Sequence, residues 1–251
     1  MMIVLKMVRL VLGVFLACGT MRAQAYDEKN IYELIKSFVP ENAVIVEAGA
    51  HYGTDTVIMA KLFPKGVIHS FEPTPASFRK LKDAVSGLKN VHCYQCALSD
   101  TAGKATFYIG PNEGGSNSLL PPALIAHYFT DKVSVDCVVL DQWAKRNKVK
   151  KVDFLWLDME GNELRVLRSS PEILKTVKAV YTEINFQEFW KNNAYYYDLR
   201  NFMEKQGFTE VWKFVGVRDI ADHAKLDPNP EYVAIQGNAL FVRLSNAKLT
   251  M

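Results

Sequence analysis

Asp158 and Glu160 stand immediately before Gly161 in the run Phe154-Leu155-Trp156-Leu157-Asp158-Met159-Glu160-Gly161-Asn162-Glu163. Asp158 ends a strongly apolar stretch, the place where open α/β sheets set their active sites. Two carboxylates there could orient a hydroxyl, accept its proton or hold a divalent cation. Glu183, at the end of another apolar stretch, could join them across the crevice. No histidine accompanies these acids, and carboxylates also bind hydroxyls, so a divalent metal is possible but not predicted. The expected catalytic residues are therefore Asp158 and Glu160, and Glu163 reads as a first-turn acid favoured by a helix dipole.

A second constellation is Val44-Ile45-Val46-Glu47-Ala48-Gly49-Ala50-His51-Tyr52-Gly53. Gly49 permits a sharp strand-to-helix turn and Gly53 close backbone approach to a ligand. The dinucleotide pattern G-x-G-x-x-G is absent, and Glu47 suits a cationic amino group while repelling a pyrophosphate. Glu72, about 20 residues beyond the turn, is placed to accept hydrogen bonds from ribose hydroxyls. At Ala97-Leu98-Ser99-Asp100, just past a third strand, Ser99 or Asp100 could bind the exocyclic amine of a base with Leu98 on its ring. An Asx-turn accounts for Asp100 equally well.

Three further features carry two readings each. His51 could be a general base or a solvent-facing loop residue. The run Gly114-Gly115-Ser116-Asn117-Ser118-Leu119 could face a substrate or serve as a linker. Phe186, Phe189, Trp190 and Tyr195 to Tyr197 could line an acceptor pocket, though core or lid packing is the commoner use of such aromatics.

The elements that must position these residues follow from periodicity. Helices are predicted over 27–38, 54–63, 75–86, 140–146, 161–167 and 195–206. Strands are predicted over 43–47, 67–71, 91–95, 104–109, 134–139, 152–158, 177–184, 208–215 and 238–244. A long loop, 110–132, separates two of those strands. Alternating strands and helices mean βαβ units, a mostly parallel sheet with helices on both faces. The last two strands have no helix between them and should pair antiparallel, with 216–237 as a lid or substrate loop. This α/β layout, a mostly parallel sheet with a C-terminal antiparallel hairpin, suits a Rossmann-like methyltransferase fold better than a dinucleotide dehydrogenase.

The first 25 residues differ from the rest. Lys6 and Arg9 precede an apolar run, and Ala23-Gln24-Ala25 offers a small-x-small cleavage site. This is the layout of a signal peptide or anchor, with residues 26–251 as the domain. It predicts an exported or membrane-tethered protein, or a cytoplasmic one if Met21 is the start. The segment holds Lys6, Arg9 and Arg22 and no acid, which accounts for the whole formal charge of +3. The remainder is neutral and has no electrostatic reason to seek nucleic acid or anionic lipid, so membrane contact is expected only through the leader. Of the four cysteines, Cys93 and Cys96 fall on opposite faces of one predicted strand, which argues against a zinc clip and for buried thiols.

Together the four motifs, in order from about Val44 to Phe214, resemble the FkbM family of S-adenosylmethionine-dependent methyltransferases. The most specific element is the segment ending in Glu163, similar to that family's D-x-L-K-x-D-x-E-G-x-E, with Trp156 where the family usually has lysine. The resemblance implies methyl transfer to an oxygen of a sugar, polyketide or other small-molecule acceptor. It further implies that Glu47, Gly49 and Gly53 bind the methionine part of S-adenosylmethionine, that Glu72 binds the ribose, and that Asp158 faces the transfer site. Two alternatives are a nicotinamide-dependent oxidoreductase on the same sheet and a non-catalytic protein keeping the fold. The missing glycine pattern and Glu47 weigh against the first.

Overall fold

The computed structural model describes residues 28–110, 115–123, 129, 131–218 and 233–244. The leader expected over the first 25 residues lies outside them. Among the described residues no helix is long and apolar enough to cross a membrane.

In chain order the elements are α1 (Glu28–Phe38), β1 (Val44–Ala48), α2 (Thr54–Leu62), β2 (Val67–Phe71), α3 (Pro75–Ala84), β3 (Val91–Tyr94), β4 (Ala97–Leu98), β5 (Gly103–Ile109) and β6 (Asp131–Val138). Then come α4 (Leu140–Arg146), β7 (Phe154–Leu157), α5 (Glu163–Ser169), α6 (Pro171–Leu174), β8 (Ala179–Asn185), α7 (Tyr196–Lys205), β9 (Thr209–Arg218) and β10 (Val233–Val242). Seven strands form one sheet in the order β3-β2-β1-β7-β8-β10-β9. Its first five strands run parallel, whereas β10 pairs antiparallel with both β8 and β9. This is the expected α/β arrangement, a mostly parallel sheet with a C-terminal antiparallel hairpin.

Strand alternation sorts the core into two layers. On β7, Phe154 and Trp156 face α1 and α2, together with Ile45, Ile68 and Tyr181. Leu155 and Leu157 face α4 to α7 with Val46, Ala48, Val180 and Phe241. Trp156 is buried against Tyr181, with ring centroids 4.1 Å apart, and stacks on Tyr32 at 5.5 Å. An aromatic at this position thus completes the core beneath α1.

The structure corrects several boundaries. The predicted strand over 91–95 ends at Tyr94, so Cys96 lies in the following bend rather than sharing β3 with Cys93. All three described cysteines are free. A second sheet, β4-β6-β5, was not foreseen: β5 and β6 pair antiparallel and the two-residue β4 joins β6 in parallel. The hairpin strands reach further than predicted, leaving 219–232 of the expected lid loop, which lies outside the described residues.

Chain direction across the main sheet fixes where a ligand can sit. From β1 the chain moves outward through β2 and β3, then returns to β7 on the other side of β1. Loops leaving the carboxyl ends of β1 and β7 therefore diverge, and a crevice opens between them.

Candidate active site

The crevice is a cavity of about 180 Å³, far larger than a packing void. Its walls come from the turn after β1 (Gly49, His51, Asp55), the end of β2 (Phe71, Glu72), the β4 corner (Ala97, Leu98) and the end of β7 (Asp158, Met159, Asn162). Gly115, Asn117 and Leu119 complete it, so part of the 114–119 run does face the cavity.

Gly49 shows why the first turn needs glycine. It has φ +86°, and a Cβ there would lie 1.7 Å from the Asp158 carbonyl oxygen. The peptide of Asp158 in turn donates to Ala48 O at 3.0 Å, locking the two strand ends together. Gly53 plays a different part from the expected one. It precedes α2 with φ +85°, and its missing side chain makes room for Leu81 of α3, 2.8 Å from where a Cβ would stand. It does not line the cavity.

Glu47 likewise lies behind the cavity wall. It shares the face of Ile45, so its carboxylate points towards α2, where Oε2 accepts the hydroxyls of Thr56 at 2.5 Å and Ser70 at 2.6 Å. Burial raises its pKa to about 7, with the two hydroxyls opposing the shift. Glu47 therefore ties β1, β2 and α2 into one unit beneath the glycine turn.

Glu72 does line the cavity, already committed to protein donors. Its Oε2 accepts the His51 N–H at 3.0 Å, while Oε1 accepts the Thr74 N–H at 2.9 Å and hydroxyl at 2.6 Å. A carboxylate has about four acceptor positions, so roughly one remains for a ligand hydroxyl. Burial is the largest influence on its pKa, which is raised. At the β4 corner only Ala97 and Leu98 reach the cavity. Ser99 donates its hydroxyl to Asp100 at 3.2 Å and its backbone N–H to Val138 O, and neither residue is in the wall.

The acids after β7 form a group. Leu157 pairs with Thr182, so Asp158 and Glu183 are the next residues along neighbouring parallel strands. Glu160 has φ +53° and Gly161 φ +95°, a left-handed pair that folds the loop back on itself. A Cβ on Gly161 would meet Asn193 at 2.7 Å. Glu160 is held by the Trp190 indole N–H at 3.1 Å, and its carbonyl accepts the Ser118 hydroxyl at 2.8 Å. The Gln236 amide donates to Glu183 and reaches Glu160 Oε2 at 3.4 Å. Glu163 turns inward instead: its Oε1 accepts the N–H groups of Met159 and Gly161. Burial, then repulsion from neighbouring acids, raises Glu163 to about 7 and Glu160 to about 8, and Asp158 is raised as well by the enclosing protein and by Asp55. Glu183 is pushed up as well, by burial first and Glu160 next.

Of this group only Asp158 opens into the cavity; Glu160 lies behind it. Of the two readings open for the aromatic residues, packing accounts for most of them. Tyr196 is buried against Phe186, and Trp190 sits on Phe129, while Tyr195 and Tyr197 are exposed. Asp55, Asn162, the hydrogen bond of Trp190 and Gln236 carry no local signal in the sequence that marks them as site residues. Asp55 was hidden by its place in the first turn of α2, where an acid is ordinary. Gln236 comes to the site only through the antiparallel register of β10 on β8, which no local pattern announces.

Residues 47–210 match the Methyltransferase FkbM domain family. The chain is 25% identical over 170 residues to the 2-O-methyltransferase NoeI of Sinorhizobium fredii, covering 63% of this chain and 70% of that protein. It is 28% identical to the methyltransferase sdnD of Sordaria araneosa, covering 68% and 75%. With the hexuronic acid methyltransferase AglP of Haloferax volcanii it shares 26% identity, covering 63% and 62%.

Proposed function

The chain belongs to the FkbM methyltransferase family, and from that premise we propose that it transfers the methyl group of S-adenosylmethionine to a hydroxyl oxygen of a small molecule. The observation that carries this reading is the single crevice in which the Gly49 turn, Glu72 and Asp158 meet.

The residues present fit such a donor. Gly49 leaves a turn without a side chain beside the crevice, and His51 and Asp55 border the same turn. Glu72 keeps roughly one free acceptor position for a ribose hydroxyl. Phe71, Pro73, Ala97 and Leu98 offer an apolar wall to a base. Glu47 and Gly53 act at one remove by fixing the turn, and Ser99 and Asp100 by fixing the β4 corner.

When bound, the donor supplies a methyl already activated by its sulfonium. The protein's task is then to hold the acceptor oxygen, exclude water and receive a proton. Of the acids that follow β7, Asp158 is the one that lines the cavity, and it takes the acceptor hydroxyl's proton on its side-chain oxygen. Glu160, fixed by Trp190, positions the Asp158 loop. The names of two relatives, a 2-O-methyltransferase and a hexuronic acid methyltransferase, favour a sugar-like acceptor.

Incubation with methyl-labelled S-adenosylmethionine and a panel of sugars and uronic acids tests the reading. Label should appear on an acceptor oxygen with wild-type protein and fall at least about 100-fold with Asp158→Asn, a typical loss for a general base. Equal transfer by the two proteins would remove Asp158 from the mechanism.

A further inference from the structure

We propose that Asp158, Glu160 and Glu183 form a binding site for one hard divalent cation, of the magnesium, manganese or calcium class, at the acceptor end of the crevice. One carboxylate oxygen from each of the three lies within 4.8 Å of the others. Two oxygens bound to the same cation at about 2.1–2.4 Å can be no further apart than roughly 4.2–4.8 Å. The three oxygens thus already occupy a space of coordination-sphere size, before any side chain moves.

A second observation points to a missing partner. Glu183 is 7% exposed. Its Oε1 accepts the Gln236 amide, but Oε2 is buried with no hydrogen-bond donor. An interior carboxylate oxygen left bare is costly, and native structures rarely leave one so. Asn185, two residues along β8 and so on the same face, also has a buried side-chain oxygen without a donor.

Charge supports the same conclusion. Among the described residues no lysine, arginine or histidine forms an ion pair with Asp158, Glu160 or Glu183. Glu163 adds a fourth acid, with Oε1 turned to backbone N–H groups. An all-oxygen donor set without histidine or cysteine selects hard cations over zinc. The parallel register of β7 and β8 sets the backbones of Asp158 and Glu183 side by side, and the Trp190 indole and Gln236 amide hold the Glu160 and Glu183 carboxylates.

Asp158 faces the cavity, so an ion held here would meet the acceptor. This deepens the reading of the crevice as a methyl-transfer site and rests on it. Such an ion favours acceptors with two neighbouring oxygens, a vicinal diol or a hydroxy acid, and lowers the pKa of a bound hydroxyl.

The test is a titration of chelator-treated full-length protein with Mn²⁺, followed by the loss of the free-ion paramagnetic resonance signal. The expected result is one Mn²⁺ per chain, displaced by Mg²⁺ or Ca²⁺. Glu183→Gln should weaken binding by at least about tenfold, whereas Asp136→Asn, on the surface beside Lys104 and outside the cluster, should leave it unchanged. If circular dichroism shows Glu183→Gln unfolded, Glu160→Gln takes its place. Calorimetry with S-adenosylhomocysteine on the same samples reads the donor site separately. Protein that binds S-adenosylhomocysteine but no Mn²⁺, or a folded Glu183→Gln that binds Mn²⁺ like wild type, overturns the cation site alone. Mn²⁺ binding without S-adenosylhomocysteine binding would instead overturn the donor reading.

Discussion

Gly49 and Glu47 lie two residues apart and constrain the molecule in opposite ways. At Gly49 both the left-handed φ and the nearby Asp158 carbonyl forbid a side chain. Gly49→Ala should therefore push the β1 and β7 ends apart, lowering the unfolding free energy by about 2 kcal/mol or more in urea titration. Glu47 tolerates a change that removes charge. Its folded pKa of about 7 exceeds its ordinary value, so the native state holds the proton more tightly than the unfolded chain. Stability from this group is full below about pH 4.5 and lost as pH rises towards 7. Glu47→Gln should flatten that slope, gaining up to about 3 kcal/mol over wild type at pH 8 but little at pH 4. Denaturation at the two pH values checks this. At this scale the sequence marked Glu47, Gly49, Glu72 and Asp158 by type and spacing. It could not show that Glu47 points to α2, because that depends on which face of β1 meets which helix.

Among the elements, the alternation of strands and helices was legible because each repeats its own apolar period. The β4-β6-β5 sheet was not, since a two-residue strand has no period and its pairing joins residues far apart in the chain. Asp153 shows how such long-range ties hold the sheet. Its buried carboxylate accepts the Val44 N–H at 3.0 Å and pairs with Lys151 and Lys178, joining the starts of β1, β7 and β8. Burial opposes ionisation here, but the Val44 N–H and the two lysines outweigh it and hold the pKa low. The stabilisation is present above the ordinary carboxylate range and is lost as pH falls through the lowered folded value. Asp153→Asn should cost about 2 kcal/mol at pH 7 and progressively less in acid, read by urea unfolding at both pH values.

For the whole molecule, the sheet order places the diverging loops of β1 and β7 around one crevice, and the acidic group meets it through Asp158. The central claim is that this crevice takes S-adenosylmethionine. Isothermal titration of the full-length protein with S-adenosylhomocysteine, beside NAD, tests it most directly. One S-adenosylhomocysteine per chain should bind, Glu72→Gln should weaken it roughly tenfold or more by loosening a charged hydrogen-bond hub, and NAD should give no heat. Tight binding of NAD with none of S-adenosylhomocysteine would contradict the account.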